Sequence, residues 1–219
     1  MSYLLDPANW DITDYQSIPN LLLDHLYITG VSLAIALAIA LPLALLISRY
    51  RWLYLPIITT AGVVYTLPSL AVVAILVPFT GLSATTIIIP LIAYAQLVLI
   101  RNMVAAITGV DPALVEVGRA MGMNGWQIQV RVVLPLALPV IIAGVRVTAV
   151  TTIGIATIGA LVGADNLGDL IFSGIANNFT AQIVAGAILV SALALIADLA
   201  LLAVQALLSR GRSVSFATS

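Results

Sequence analysis

Few side chains in this sequence could do chemistry, and the two most unusual are charges that lie deep inside apolar stretches. Arg146 comes twelve residues after Leu134, and Asp198 comes ten residues before Leu208. At a helical rise of about 1.5 Å per residue, the two charges lie about 18 Å and about 15 Å from the same end. An unpaired charge near the centre of a membrane costs at least about 2.5 kcal/mol. The matching depths predict an intramembrane ion pair, with separate partners for the two charges as the alternative.

The remaining polar residues favour neither catalysis nor metal binding. The sequence has one histidine and no cysteine, so His25 has no second histidine or thiolate to help it bind a metal. We expect His25 to be solvated at the outer mouth of the first span. Asp165, Asn166 and Asp169 offer oxygen ligands, but their spacing does not fit a calcium loop, and we interpret them as a docking surface for an external protein. The sequence has no GxxxxGK[ST] phosphate-binding loop, so we predict a chain that is no enzyme and does not itself hydrolyse ATP.

The composition indicates a polytopic membrane protein. Hydrophobic residues make up 62% of the sequence and charged residues 8%, whereas a soluble domain has roughly 25% charged residues. The net charge is −1 and there is no lysine, so no basic patch for nucleic acid is present. Asp6, Asp11 and Asp14 come before the first apolar stretch without any basic residue. A cleaved signal peptide begins with positive charge, and we therefore expect the first span to stay as an anchor.

Five stretches are long and apolar enough for helices that cross a hydrocarbon core of about 30 Å, which predicts an all-α fold. They are residues 22–48, 56–79, 85–107, 134–162 and 181–208. By the positive-inside rule, the side that carries the arginines is cytoplasmic. These arginines are Arg49, Arg51, Arg101, Arg119, Arg131, Arg210 and Arg212. The N-terminus is then outside and the C-terminus is cytoplasmic. The predicted layout is an outer-surface segment 1–20, a transmembrane domain 21–208 with an inner loop 108–133 and an outer loop 163–180, and a cytoplasmic tail 209–219.

Polar residues at mid-depth predict a translocation pathway, because such residues usually face the bundle interior or a water-filled cavity. The candidates are Tyr65, Ser69, Tyr94, Gln96, Thr148, Thr151 and Thr152. Pro68 in the second span is either a structural kink or part of a flexible segment that faces the pathway. Pro42 predicts a kink in the first span.

Small residues on one face of the fourth span favour close contact with another helix. They are Thr148, Thr152, Ala156, Gly159 and Gly163. The same threonines can also line a pathway if this contact joins two subunits around a central pore.

The segment 116–135 is the only long polar stretch between apolar spans that has an ordered internal pattern. Before it, Asp111 and Pro112 are typical of a helix start, with aspartate as N-cap and proline in the first helical position. An apolar stripe at helical spacing follows, formed by Ala113, Leu114, Val117, Ala120 and Met121. Gly118, Gly122 and Gly125 allow the backbone to bend or to approach a partner closely. From these residues alone, a plain amphipathic connector on the membrane surface is an equally good interpretation.

The same segment resembles the EAA loop of permease subunits of ABC importers. That pattern is Glu-Ala-Ala, three residues, Gly, nine residues, Ile, any residue and Leu-Pro. Here the matching residues, at full spacing, are Glu116, Val117, Gly118, Gly122, Val132, Leu134 and Pro135. Val117 and Gly118 replace the two alanines, and Val132 replaces the isoleucine.

Residues 41–51, 66–71, 101–128 and 134–146 extend the likeness to permeases of the osmoprotectant type, which import glycine betaine, choline, carnitine and related solutes. Residues 163–168, GADNLG, resemble that family's GAGGLG, with Asp165 and Asn166 in place of two glycines.

The resemblance implies a five-helix, MetI-like permease core in the bacterial cytoplasmic membrane, in contact with lipid. The implied partners are a cytoplasmic ABC ATPase dimer, an extracellular or periplasmic solute-binding protein, and a second permease subunit that is the same chain or a paralogue. This chain would bind no cofactor, since ATP and Mg belong to the partner ATPase. ATP would close the two ATPases, and the cavity would alternate between outside and inside. The implied contacts to the ATPase are Glu116, Val117, Gly118, Arg119, Ala120, Met121, Gly122, Asn124 and Trp126.

Two alternatives remain at this point. The first is an importer for methionine or another amino acid, since such permeases share the EAA loop. The second is a secondary transporter or channel without an ATPase, which the lack of an inverted repeat and of a ladder of intramembrane acids disfavours.

Overall fold

The computed structural model describes residues 2–209, and its regular secondary structure over that range is helical. The α-helices are α1 (Ser2–Leu5), α2 (Ile18–Arg49), α3 (Tyr54–Thr66), α4 (Ser69–Thr80), α5 (Ala84–Thr108), α6 (Pro112–Ala120), α7 (Gly125–Ile128), α8 (Leu134–Ala156), α9 (Gly168–Ala176) and α10 (Thr180–Ser209). Short 3-10 segments cover Pro7–Trp10, Arg51–Leu53 and Thr157–Val162, and a π-helical turn covers Gln129–Val133. The all-α prediction is confirmed. The described residues end at position 209. The rest of the predicted tail, which contains Arg210 and Arg212, therefore lies outside them.

Within residues 2–209, four helical stretches have the length and apolar character needed to cross a membrane. They are Ile18–Arg49, Ala84–Thr108, Gly125–Val162 and Thr180–Ser209. A broken pair, Arg51–Thr66 and Ser69–Thr80, whose axes differ by 89°, has the apolar character of a fifth crossing if it is counted as one span. The predicted number of about five spans is confirmed when this pair counts as one.

The kink predicted at Pro68 is a full break between α3 and α4. Leu67, which precedes the proline, has an extended conformation with ψ of 134°. The proline ring disfavours a helical residue before it and supplies no N–H to continue the ladder. In α2, by contrast, the helix continues through Pro42 without interruption.

Helix α5 lies at the centre of the bundle and packs against α2, α3, α4 and α8. Its contact with α2 is lined by Ala36, Ala40 and Ala44, which are spaced four residues apart and fully buried. Such small side chains let two helix backbones approach closely. On the α5 side, Leu99 and Met103 belong to the same apolar cluster. Helix α8 lies between α5 and α10, so α10 is at the edge of the bundle.

The predicted outer loop 163–180 contains a helix, α9, that packs against α10. The two helices approach so closely that a Cβ on Gly174 would lie 2.9 Å from the backbone nitrogen of Ile183. A Cβ on Gly186 would lie 2.9 Å from the Cβ of Leu170. Leu170 also joins an apolar cluster with residues of α2, α8 and α10. The segment is therefore a packed part of the bundle, because its apolar residues bury themselves against three spans.

Candidate functional site

The segment after α5 begins with the capped helix that the sequence predicts. The carboxylate of Asp111 accepts a hydrogen bond from the backbone N–H of Ala113 at 2.8 Å, and Pro112 takes the first helical position. This cap satisfies a backbone donor that has no partner within the helix. The start of α6 is therefore fixed by its own first residues.

The end of α6 is fixed by a glycine in the left-handed conformation. Gly122 has a φ of 78°, and its N–H donates to the carbonyl of Arg119 at 2.9 Å. The next N–H, of Met123, donates to the carbonyl of Gly118 at 3.1 Å. These two bonds form a Schellman motif, in which glycine is strongly favoured at the left-handed position. The sequence-predicted turn at Gly122 is thus a helix stop that reverses the chain toward α7.

A second cap starts α7 and leads without a break into the membrane. Asn124 and Gln127 form a reciprocal capping box, in which each side chain bonds the backbone N–H of the other at 2.9 Å. From Gly125 the helix runs through the π-helical turn and α8 as one stretch that ends at Val162. Helix α7 is therefore the start of one continuous helical stretch, residues 125–162, that enters the bundle and that we call the rod.

Gly118 lies where α6 meets the start of this rod, and it is buried. A Cβ at this position would lie 3.3 Å from Cγ1 of Ile128 and 3.7 Å from Cγ2 of Val132. The first distance is tighter than ordinary van der Waals contact, so the glycine lets α6 lie close against the rod. This explains the glycine where the EAA pattern has alanine: it weakens the isolated helix by about 1 kcal/mol but allows closer packing.

Helices α6 and α7 expose large apolar side chains on the faces that are not packed against the bundle. Met121 is 64% exposed and Trp126 is 70% exposed, and Leu114 and Val117 are also exposed. Glu116, Arg119, Ala120 and Asn124 are exposed on the same segment. Clustered exposed apolar residues with polar neighbours are typical of a protein interaction surface. We call the surface formed by residues 113–126 the coupling surface. The structure thus brings the predicted ATPase contacts together on it, apart from the buried Gly118.

The predicted pathway residues divide into two groups. Tyr65 and Tyr94 meet edge to face with ring centroids 6.1 Å apart, and the Tyr94 hydroxyl donates to the carbonyl of Leu67 at 3.2 Å. This bond satisfies a carbonyl at the break between α3 and α4. Ser69 begins α4 on the other side of the same break. Gln96 instead faces α2, where its Nε2 donates to the carbonyl of Ala36 at 3.3 Å.

The threonines of α8 form the second group, and the expectation for two of them needs correction. Thr148 and Thr152 are buried within this one chain. The Thr148 hydroxyl donates to the carbonyl of Gly144 in its own helix. The small-residue face of α8 therefore packs inside the chain, against α5. Thr151 lies on another side of the helix and is partly exposed.

Arg146 and Asp198 are in direct contact between α8 and α10. Nε and Nη2 of Arg146 donate to the two oxygens of Asp198, both at 2.9 Å. The remaining nitrogen, Nη1, donates to Oε1 of Gln205 at 3.0 Å. The two side chains are 21% and 29% exposed, so they lie at the rim of the helix contact. The sequence reasoning missed Gln205, although seven residues after Asp198 is the same face of α10.

The three outer-loop residues have different environments. Asp165 is exposed, but Asn166 is fully buried and bonds the carbonyl of Ala164 and the N–H of Gly168. Asn166 therefore holds the loop together and cannot offer its side chain to an external protein, which corrects our expectation for it. Asp169 accepts the N–H of Asn166 at 2.7 Å. Burial, and then the charges of Asp165 and Asp24, raise the pKa of Asp169 above its usual range.

His25 is buried, and the expectation of a solvated residue is wrong. Its exposure is 0%, and its Nε2 donates to the carbonyl of Ile153 in α8 at 3.1 Å. Asn166 lies beside it, because the outer loop folds over this end of α2. The position of His25 in the sequence could not predict that the outer loop covers it, since that loop is distant along the chain. Within residues 2–209 there is no group of three or more His, Cys, Asp or Glu residues that could hold a metal ion.

The bundle of long apolar helices is that of an integral membrane protein. A family model described as the binding-protein-dependent transport system inner membrane component matches residues 16–214. The chain belongs to this family of membrane transport components.

Two relatives and one solved structure show the extent of the likeness. The chain is 32% identical over 197 residues to the osmoprotectant import permease OsmW of Salmonella typhimurium, and the match covers 88% of each protein. It is 45% identical over 151 residues to the glycine betaine/carnitine/choline permease OpuCD of Bacillus subtilis, which covers 68% of this chain and 66% of the relative. A chain of the inward-facing methionine ABC transporter MetNI superposes with a TM-score of 0.79 over 93% of this chain and 98% of its own length, at 22% identity. The last likeness shows the fold alone, which is the predicted MetI-like core.

Proposed function

We propose that this chain is the transmembrane permease subunit of an ATP-driven importer for compatible solutes such as glycine betaine, choline or carnitine. The support for the solute class is that relatives at 32% and 45% identity are named as osmoprotectant and glycine betaine/carnitine/choline permeases. The methionine alternative has support only from the fold, at 22% identity.

The observation that carries the proposal is the coupling surface and its continuity with α8. An ATPase that grips Met121 and Trp126 would push directly on the rod that runs from Gly125 to Val162. The chain would supply no catalysis of its own. ATP and Mg would be bound by the partner ATPase dimer, and ATP-driven closure of that dimer would switch the cavity between outside and inside. In this arrangement the N-terminus is outside, and the coupling surface and the C-terminus are cytoplasmic.

Two further partners belong to the proposal. A second permease subunit, either the same chain or a paralogue, would complete the translocation cavity. Tyr65 and Ser69 at the break between α3 and α4 are the pathway residues that we retain, because the break lies at mid-span and Tyr65 is exposed. Tyr94 is buried and supports the break through its bond to the carbonyl of Leu67. On the outer side, a solute-binding protein would dock near Asp165, which is exposed there.

A comparison of two tryptophans tests the ATPase contact. Replacing Trp126 by Ala should weaken association with the companion ATPase at least tenfold, since a buried interface tryptophan contributes about 2 kcal/mol or more. Trp52→Ala is the matched control, because Trp52 is similarly exposed at 73% but lies outside the coupling surface. The measurement is co-purification of the ATPase with equal amounts of inserted permease. Equal retention of the ATPase by both variants would contradict the proposal.

A further inference from the structure

Two adjoining cavities lie at the end of the bundle that carries the coupling surface. The larger has a volume of about 1010 Å³ and lies between the last turns of α2 and the segment of α6 and α7. The smaller has a volume of about 370 Å³ and lies between α2, α3 and α5. Arg51 and Thr108 line both cavities, so the two adjoin at these residues.

Arginines dominate the polar lining of these cavities. Arg49 and Arg119 line the larger cavity, Arg101 lines the smaller, and Arg51 lines both. No carboxylate among residues 2–209 lines either cavity, and the salt bridge found over that range is between other residues, Arg146 and Asp198. Four cations that line these cavities without a paired acid favour an anionic ligand.

The position of the cavities relative to the spans selects the kind of anion. Arg101 lies seven residues before the end of α5, which is about 10 Å inside that end of the helix. The wall of the larger cavity is apolar and comes largely from spanning helices, with Leu41, Leu45 and Ile107 among its residues. A ligand here must present an anion to arginines near the membrane boundary and hydrocarbon to the wall beside them.

A buried donor without an acceptor supports the same ligand. Gln129 lines the larger cavity, and within the described part of the chain its Nε2 is buried and has no hydrogen-bond partner. A buried amide donor is costly to leave unpaired. A phosphate oxygen is an acceptor of the kind that this donor lacks.

We propose that these cavities bind one anionic phospholipid, with its phosphate among Arg49, Arg51 and Arg101 and an acyl chain along Leu41, Leu45 and Ile107. Basic pockets between membrane helices bind acidic headgroups in this way. The lipid would touch α2 and α5 on one side and the coupling surface, through Arg119 and Trp126, on the other. It would therefore form part of the wall against which α6 moves. This site depends neither on the transported solute nor on the presence of an ATPase.

Native mass spectrometry of the full-length chain tests the proposal. The protein is released from mixed micelles that contain equal amounts of phosphatidylglycerol and phosphatidylcholine with identical acyl chains. The wild-type chain should retain phosphatidylglycerol over phosphatidylcholine by about tenfold. Arg49→Gln with Arg51→Gln should abolish this preference, whereas Arg49→Lys with Arg51→Lys should keep most of it. If the double glutamine variant fails to fold by size-exclusion chromatography, Arg101→Gln provides the same comparison.

Arg131→Gln is the matched control, because Arg131 is exposed in the same π-helical turn as Gln129 but lines neither cavity. It should keep the preference, and an equal loss in this variant would show only a general effect of surface charge. Excess soluble glycerol phosphate should not displace the lipid; displacement would mean that a free phosphate is the ligand. If wild type shows no lipid preference while the double glutamine variant releases the ATPase, the arginines serve an acidic segment of that partner. Any one of these three results would overturn the lipid site.

Discussion

At the residue scale, the coupling surface depends on the local conformation of two glycines. Gly118 lets α6 approach Ile128, and Gly122 provides the left-handed residue that ends α6. The turn at Gly122 could be predicted in part from sequence, because a glycine turn that ends a helix depends on neighbouring residues. The close packing at Gly118 could not be predicted, since it depends on the return of the chain through residues 125–133.

A series at position 122 tests whether backbone conformation or volume matters. No atom lies within 4 Å of an added Cβ there, so Gly122→Ala acts through its φ of 78°. The left-handed conformation costs an alanine about 1–2 kcal/mol, so we expect uptake and ATPase stimulation to fall several-fold at unchanged membrane levels. Asparagine tolerates this conformation better, so Gly122→Asn should be less impaired than Gly122→Ala. Gly125→Ala, which also meets no atom within 4 Å, is the control. Equal activity of Gly122→Ala and Gly125→Ala would show that the turn does not constrain coupling.

At the scale of elements, the ion pair connects α8 to α10 at the edge of the bundle. Its depth was predictable from helical rise, and the pairing follows because α8 and α10 are neighbours. The break between α3 and α4 and the cover over His25 were harder to predict. A proline indicates that a helix is perturbed, but the 89° angle depends on packing against α5. The burial of His25 and Asn166 requires the outer loop to fold back over α2, which no local pattern specifies.

A double-mutant cycle tests the contribution of this pair to the α8–α10 contact. Asp198→Asn removes the carboxylate that balances the charge of Arg146 and leaves it only neutral partners such as Gln205, so the thermal stability of the detergent-solubilised chain should fall. Adding Arg146→Gln should recover part of the loss, with a coupling energy of about 1–3 kcal/mol. Thermal unfolding followed by size-exclusion chromatography gives the four stabilities of the cycle. Strictly additive effects would mean that the two side chains contribute independently.

At the scale of the whole molecule, the chain is a helical bundle in which one continuous rod begins at the coupling surface. The coupling surface lies at the start of the rod, the small-residue face of α8 packs on α5, and α10 is tied to α8 by the ion pair. Composition and hydropathy were sufficient to predict the class of protein and about five crossings. They were not sufficient to separate residues that face a pathway from residues buried inside one chain, as Thr148 and Thr152 show.

The most direct measurement is the side of the membrane on which the coupling surface lies and whether an ATPase covers it. The sequence contains no cysteine, so Ala120→Cys introduces a single reactive thiol on this surface and leaves Trp126 in place to hold the ATPase. In oriented vesicles, a membrane-impermeant maleimide should label this thiol only from the cytoplasmic side, and addition of the companion ATPase should protect it. Labelling from the exterior, or labelling that the ATPase leaves unchanged, would contradict the proposal that α6 and α7 receive the motion of a cytoplasmic ATPase.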